Sequence, residues 1–143
     1  ELIITAGGKN IAPKAIESAV KEHSIVGEVV LIGDRRRFLS ALVCLNPAET
    51  EALAKKHGVA PDRLHESAAV RAEVQKAIDA ANERFARVEH IRKFTILPRP
   101  LTIEHGELTP TLKVKRKKVA ENWAKEIEAM YAEAPGVAEV RTA

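Results

Sequence analysis

The sequence predicts a small α+β domain, a mixed sheet with hairpins flanked by helices. Three observations point there. Two apolar runs of strand length, 25–32 and 37–45, meet across Gly33-Asp34-Arg35-Arg36, whose turn chemistry suggests a hairpin. Val70, Val74, Ala77, Ile78, Ala81, Phe85 and Val88 recur at steps of three and four, the period of an amphipathic helix. Along the chain, strand-like and helical segments mix without strict alternation, as expected of an α+β layer structure.

The elements follow in order. Leu2 to Thr5 is short and apolar and enters a tight turn at Gly7-Gly8. Pro13 suits a first helical position, where its missing N–H costs nothing, and Ile16, Ala19 and Val20 then form one apolar stripe. After the hairpin, Thr50 to His57 reads as a helix stopped by Gly58, and Pro61-Asp62 opens a short turn near Leu64. The long helix then carries the chain to a strand from Ile91 to Leu97, ended by Pro98-Arg99-Pro100. Leu101 to Ile103 should pair with Leu108-Thr109 across Glu104-His105-Gly106-Glu107. A last helix is expected from Lys115 to Tyr131, with Val119, Trp123, Ile127 and Met130 on its buried face. Residues 1–131 thus form one domain, and 132–143 a frayed tail.

Composition bounds the function. The chain has 143 residues, 45% of them hydrophobic and 30% charged, which suits one domain with a modest aliphatic core. No apolar run is long enough to cross a bilayer, and no leader with a cleavage site is visible. The chain opens at Glu1 directly before a strand and reads as a piece of a longer protein, so these absences say little about the parent. Cys44 is the single cysteine, which excludes an internal disulfide and a cysteine-based metal cluster. Lying in Phe38 to Leu45, it is expected to be a small buried hydrophobe, and cytoplasmic residence fits.

Charge is mild overall at +3 but uneven: Lys113, Lys115, Arg116, Lys117 and Lys118 supply five cations within six positions, and Arg35 to Arg37 form a second cluster. Such a run is either a solvated helix face or a site for nucleic acid, anionic lipid or a phosphorylated cofactor. Cations on a first helical turn oppose the helix dipole, which suggests that something anionic compensates them. The five histidines are scattered, with no i,i+4 pair and no zinc spacing. Glu104 and Glu107 read as a solvated hairpin tip.

Two segments carry candidate chemistry. In Gly106-Glu107-Leu108-Thr109-Pro110-Thr111-Leu112-Lys113-Val114-Lys115-Arg116-Lys117, Lys113 sits in a short turn between Pro110 and a basic helix, where it can be projected outward in one geometry. In Leu2-Ile3-Ile4-Thr5-Ala6-Gly7-Gly8-Lys9-Asn10-Ile11-Ala12-Pro13, the glycines serve either a left-handed turn or the close approach of a narrow ligand. The phosphate-loop spacing is absent.

Together, in this order, the two segments resemble the C-terminal domain of an AMP-forming acyl-CoA synthetase. Leu108-Thr109-Pro110-Thr111-Leu112-Lys113-Val114-Lys115-Arg116 is similar to the terminal lysine motif of the bacterial long-chain fatty acyl-CoA synthetases. Leu112 stands where many shorter-chain relatives carry glycine. Ile91-Arg92-Lys93-Phe94 and Ile96-Leu97-Pro98 fit the same branch, as does the helical material between Pro47 and Val88. The resemblance implies a mobile lid that closes on an N-terminal adenylate-forming domain of the same chain. It implies Lys113 as the catalytic cation for adenylate formation from ATP and a fatty acid, and Gly7, Gly8 and Lys9 along the pantetheine path of coenzyme A. Mg2+ is expected in the full-length enzyme and not on this domain, and the parent could associate peripherally with membranes. Alternatives are a related ligase for another acid, or a basic nucleic-acid-binding module, for which aromatic interleaving and a recognised motif are lacking.

Overall fold

The computed structural model describes residues 2–132, so Glu1 and the expected tail beyond Ala132 lie outside the described residues. β1 (Ile3–Ile4) pairs antiparallel with β2 (Asn10–Ile11), closing the glycine segment into a small hairpin whose second strand the sequence did not announce. α1 (Pro13–Lys21) starts on its proline as expected. β3 (Val26–Ile32) and β4 (Leu39–Leu45) form the anticipated antiparallel hairpin. α2 (Thr50–His57) ends at Gly58 in the left-handed region, and α3 (Ala68–Asn82) is capped by the Ser67 hydroxyl, which accepts from the Val70 N–H at 3.2 Å. β5 (Ile91–Ile96) then lies parallel to β4, making a mixed sheet with β4 central. A parallel neighbour needs a long crossover, and the helical stretch from α2 to α3 supplies it.

Both faces of this sheet are covered. Val29, Leu31, Ala41 and Val43 join the core that includes Ile16 and Val20 of α1 and Val74 and Ile78 of α3. Their neighbours Val30, Leu42 and Cys44 join a second core with Val119, Trp123, Ile127 and Met130. Because strand side chains alternate, one strand feeds both cores, and β4 is buried along nearly its whole length.

Three sequence expectations need correction. The apolar stripe of α3 does not extend to Val88, which is exposed; the helix ends at Asn82, whose side-chain amide exchanges two hydrogen bonds with the Ile91 backbone (2.9 and 3.0 Å) and ties the helix end to β5. The segment from Leu101 to Thr109 is not a hairpin. Its pairing is reduced to the Thr102 carbonyl, which accepts from the Glu107 N–H at 3.0 Å and the Leu108 N–H at 3.3 Å, and Leu108 also bridges Val114. Finally, the last helix is two: α4 (Arg116–Asn122) and α5 (Ala124–Tyr131), broken at Trp123, whose indole turns toward Glu107.

Candidate functional site

Lys113 sits near the apex of a tight loop closed by its own backbone. The Thr109 N–H donates to the Lys113 carbonyl at 2.8 Å, the Lys113 N–H to Thr109 Oγ1 at 3.0 Å, and the Leu112 N–H to the Thr109 carbonyl at 2.7 Å. Below these, Leu108 bridges Val114, and the Lys115 N–H donates to the Glu107 carbonyl at 2.8 Å. Pro110, Thr111, Leu112 and Lys113 are all exposed. Leu112 has φ +66°, a left-handed conformation that a leucine adopts only at a cost of about 1–2 kcal/mol. That is the position where the resemblance places glycine in shorter-chain relatives, and the backbone gives the reason.

The base of the loop holds a residue that sequence reasoning misplaced. Glu107 is not at a solvated tip; its side chain is fully buried. Arg99 grips it with both guanidinium arms (2.8 and 2.9 Å), and the Thr102 N–H, the Asn122 amide and the Trp123 indole N–H donate at 3.1, 3.1 and 2.9 Å. Burial by itself would raise the carboxyl pKa. The hydrogen bonds from Arg99, Asn122 and Thr102, with the Arg99 charge, outweigh it and bring the group down to about 2. The available signal was Arg99 itself, a cation fixed between two prolines next to an apolar run. Glu104, by contrast, is exposed as expected.

The glycine turn is built differently. The Thr5 N–H donates to the Lys9 carbonyl at 3.0 Å, the Gly8 N–H to the Thr5 carbonyl at 2.9 Å and the Lys9 N–H to Thr5 Oγ1 at 3.1 Å. Gly7, Gly8 and Lys9 are exposed. Gly8 has φ +85°, so the local turn already calls for glycine. A Cβ there would also meet nothing within 4 Å, so the space over this turn is open. The hairpin backs onto the β3–β4 turn: the Ala6 N–H donates to the Arg36 carbonyl at 2.9 Å and the Arg35 N–H to the Ile4 carbonyl at 2.8 Å.

The two candidate loops are not brought together. Leu112 shares a groove of about 520 Å³ with Lys21, Val26, Gly27 and Glu28, at the start of β3. The glycine turn packs beyond Gly33, past the end of β3. The groove beside Leu112 thus borders the start of β3, whereas the glycine turn borders its far end.

Other candidates find ordinary partners. In the basic run, Arg116 makes a bidentate pair with the buried Glu17 of α1 (2.8 and 2.6 Å), and Glu17 also accepts from the Leu31 N–H at 2.7 Å. The anion expected to compensate this helix start therefore belongs, for Arg116, to the domain itself. Lys115, Lys117 and Lys118 remain exposed. In the second cluster, Arg36 pairs with Glu128 and lies 4.7 Å over the Tyr131 ring. His57 does meet a carboxylate, Glu73, at 2.6 Å, but no group of three or more potential metal ligands occurs among the described residues. Cys44 is buried, and burial pushes its thiol up to about 12, so it behaves as the small hydrophobe its sequence context suggested. No helix among the described residues is long and apolar enough to cross a membrane.

Comparison with known proteins agrees with this architecture. The profile of the AMP-binding enzyme C-terminal domain matches residues 1–135. The chain is 41% identical to the long-chain-fatty-acid–CoA ligase FadD15 of Mycobacterium tuberculosis over 135 residues, covering 92% of this chain and 22% of that protein. It is 38% identical to the long-chain-fatty-acid–CoA ligase ACSBG1 of Rattus norvegicus over 154 aligned residues, covering 93% of this chain and 21% of the relative. Among solved structures, the adenylation domain of a carboxylate reductase from Mycobacterium chelonae superposes with a TM-score of 0.74 at 25% identity, over 92% of this chain and 19% of that one. The chain thus spans about a fifth of the length of the curated relatives it matches. With a mixed sheet covered on both faces, a stapled lysine loop on one side and a glycine hairpin on the other, it belongs to the AMP-binding enzyme C-terminal domain family.

Proposed function

We propose that this chain is the C-terminal catalytic lid of a long-chain fatty acid–CoA ligase. In such an enzyme the fatty acid carboxylate attacks the α-phosphorus of ATP, an acyl–oxygen–phosphorus bond forms and pyrophosphate leaves. The thiol of coenzyme A then attacks the acyl carbon, forming the thioester and releasing AMP. The N-terminal domain of the same chain would supply the nucleotide and acyl sites, and Mg2+ would be held there with ATP.

The observation that carries this reading is Lys113, an exposed ammonium on a loop whose backbone is stapled below it. Bringing a carboxylate to a triphosphate sets two anions together. A cation fixed in advance lowers that barrier because it need not reorganise when charge develops between them. The separation of the two loops supports an alternating lid. A hinge rotation would present Lys113 for the first step and the Gly8 face for the second. There the open space over Gly8 would admit the narrow pantetheine arm beside Gly7 and Lys9.

The test uses the full-length enzyme. Lys113→Ala should stop pyrophosphate release from ATP and fatty acid while sparing thioester formation from supplied acyl-adenylate. Equal loss of both steps would count against the role given to Lys113. A lid for another carboxylic acid is the second reading, favoured by the carboxylate reductase adenylation domain at TM-score 0.74. A substrate series of acids of increasing chain length separates the two. In either case we place the parent in the cytoplasm, with peripheral membrane association where its fatty acid is drawn from a bilayer.

A further inference from the structure

The loop that carries Lys113 does not hold its position by its own hydrogen bonds alone. Its two stems, Glu107–Thr109 and Lys113–Lys115, are joined by backbone contacts, and the lowest rung is the Lys115 N–H on the Glu107 carbonyl. Everything above that rung is exposed or half-buried. Below it stands one carboxylate with no solvent contact and five donors. Oε1 takes Arg99 and the Thr102 N–H; Oε2 takes the other arm of Arg99, Asn122 and Trp123.

The carboxylate and its donors come from three separate places. Arg99 and Thr102 follow β5, Glu107 begins the lysine loop, and Asn122 and Trp123 sit at the break between α4 and α5. The break itself points the same way, since it falls at the residue whose indole N–H reaches the carboxylate. A buried charge is expensive unless every lone pair is met, and here the donors are supplied from elements that otherwise share no strand or helix. The result is a rigid foot for a loop whose tip is in solvent.

We propose that Glu107 is a positioning residue for Lys113: its buried carboxylate locks the foot of the loop, so that the ammonium arrives at the reacting anions in one place. This rests on the adenylation role given to Lys113 above. Glu107 touches no substrate. Its loss should therefore affect only the step that needs Lys113, because the glycine turn lies at the other end of β3.

The experiment is a half-reaction comparison in the full-length enzyme. Glu107→Gln keeps the shape but sets an NH2 group against donors on one side of the site. It should slow acyl-adenylate formation by about ten- to a hundredfold, as a displaced catalytic group typically does, and leave thioester formation from supplied acyl-adenylate within about twofold. Combining it with Lys113→Ala should add nothing to the loss caused by Lys113→Ala alone, since residues acting through one another are not additive. Asn122→Ala removes one donor from an exposed side chain and should show the same split more weakly; it decides the matter if Glu107→Gln does not fold. Equal loss of both half-reactions in the folded variants, or multiplied loss in the double variant, overturns the proposal and leaves Glu107 a purely structural group. If Lys113→Ala itself leaves adenylation intact, the reading of Lys113 falls and this inference falls with it. If Lys113→Ala abolishes adenylation while Glu107→Gln and Asn122→Ala do not slow it, only the inference fails.

Discussion

The lysine loop and the glycine turn are both short, exposed and closed by three or four backbone-directed hydrogen bonds, yet they solve opposite problems. The lysine loop accepts strain at Leu112 and stands on a buried carboxylate held by five donors. The glycine turn carries no strain, because glycine occupies its left-handed position, and open space lies over it. One loop places a charge; the other keeps a surface clear. Placing a charge requires an anchor deep in the fold, whereas clearing a path requires only that side chains be absent.

The most severe way to break this contrast is to remove both functions and see whether they separate. Lys113→Ala should reduce adenylation by about a hundred- to a thousandfold, the usual cost of losing a preorganised electrostatic contact. Gly8→Leu should do the reverse, slowing thioester formation by roughly ten- to a hundredfold with adenylation near normal. Losing both activities together in either variant would mean that the two loops are not functionally distinct. Gly8→Asn sharpens the point, because asparagine tolerates positive φ where leucine does not. If path width matters, Asn should still impair the CoA step; if only backbone conformation matters, Asn should be nearly neutral while Leu is not.

Acid stability probes the anchor without reference to catalysis. Glu107 titrates at about 2 in the fold against an ordinary 4.5. A lowered carboxylate pKa stabilises the fold fully above the ordinary value and ceases to do so as pH falls from about 4.5 toward 2. The stabilisation at stake is on the order of 3 kcal/mol. Denaturant titrations of this chain at successive pH values should therefore show a decline over that window that is absent in Glu107→Gln. A variant that kept the full wild-type decline would assign it to other carboxylates. The smallest expected effect lies at the tip. Leu112→Gly should relieve the left-handed leucine and raise stability by about 0.5–1 kcal/mol, read as a higher midpoint at unchanged denaturant slope.

Much of this was legible in the residues. The apolar runs on either side of Gly33 to Arg36 specified the hairpin, Pro13 and Gly58 marked helix ends, and Lys113 stood out by its place between Pro110 and a helix. These signals are local, set by backbone sterics and the two side-chain periods, so they survive without knowledge of the rest of the fold. Glu107 was read the wrong way round for a physical reason. The segment before it, Glu104 to Gly106, looks like a solvated tip, while the donors that allow its burial lie at Arg99, Thr102, Asn122 and Trp123. The same holds for Arg116 and Glu17, which meet across 99 positions.

Residue order alone thus settled the β3–β4 hairpin, several helix ends and which amine is offered to solvent, because each depends on steric and apolar preferences acting over a few positions. Three-dimensional packing settled which charges are buried, where the last helix breaks, and that the two candidate loops stand at opposite ends of one strand. Such outcomes depend on groups distant in the chain meeting in a low-dielectric interior, where the balance between desolvation and hydrogen bonding exists only once all partners are in place.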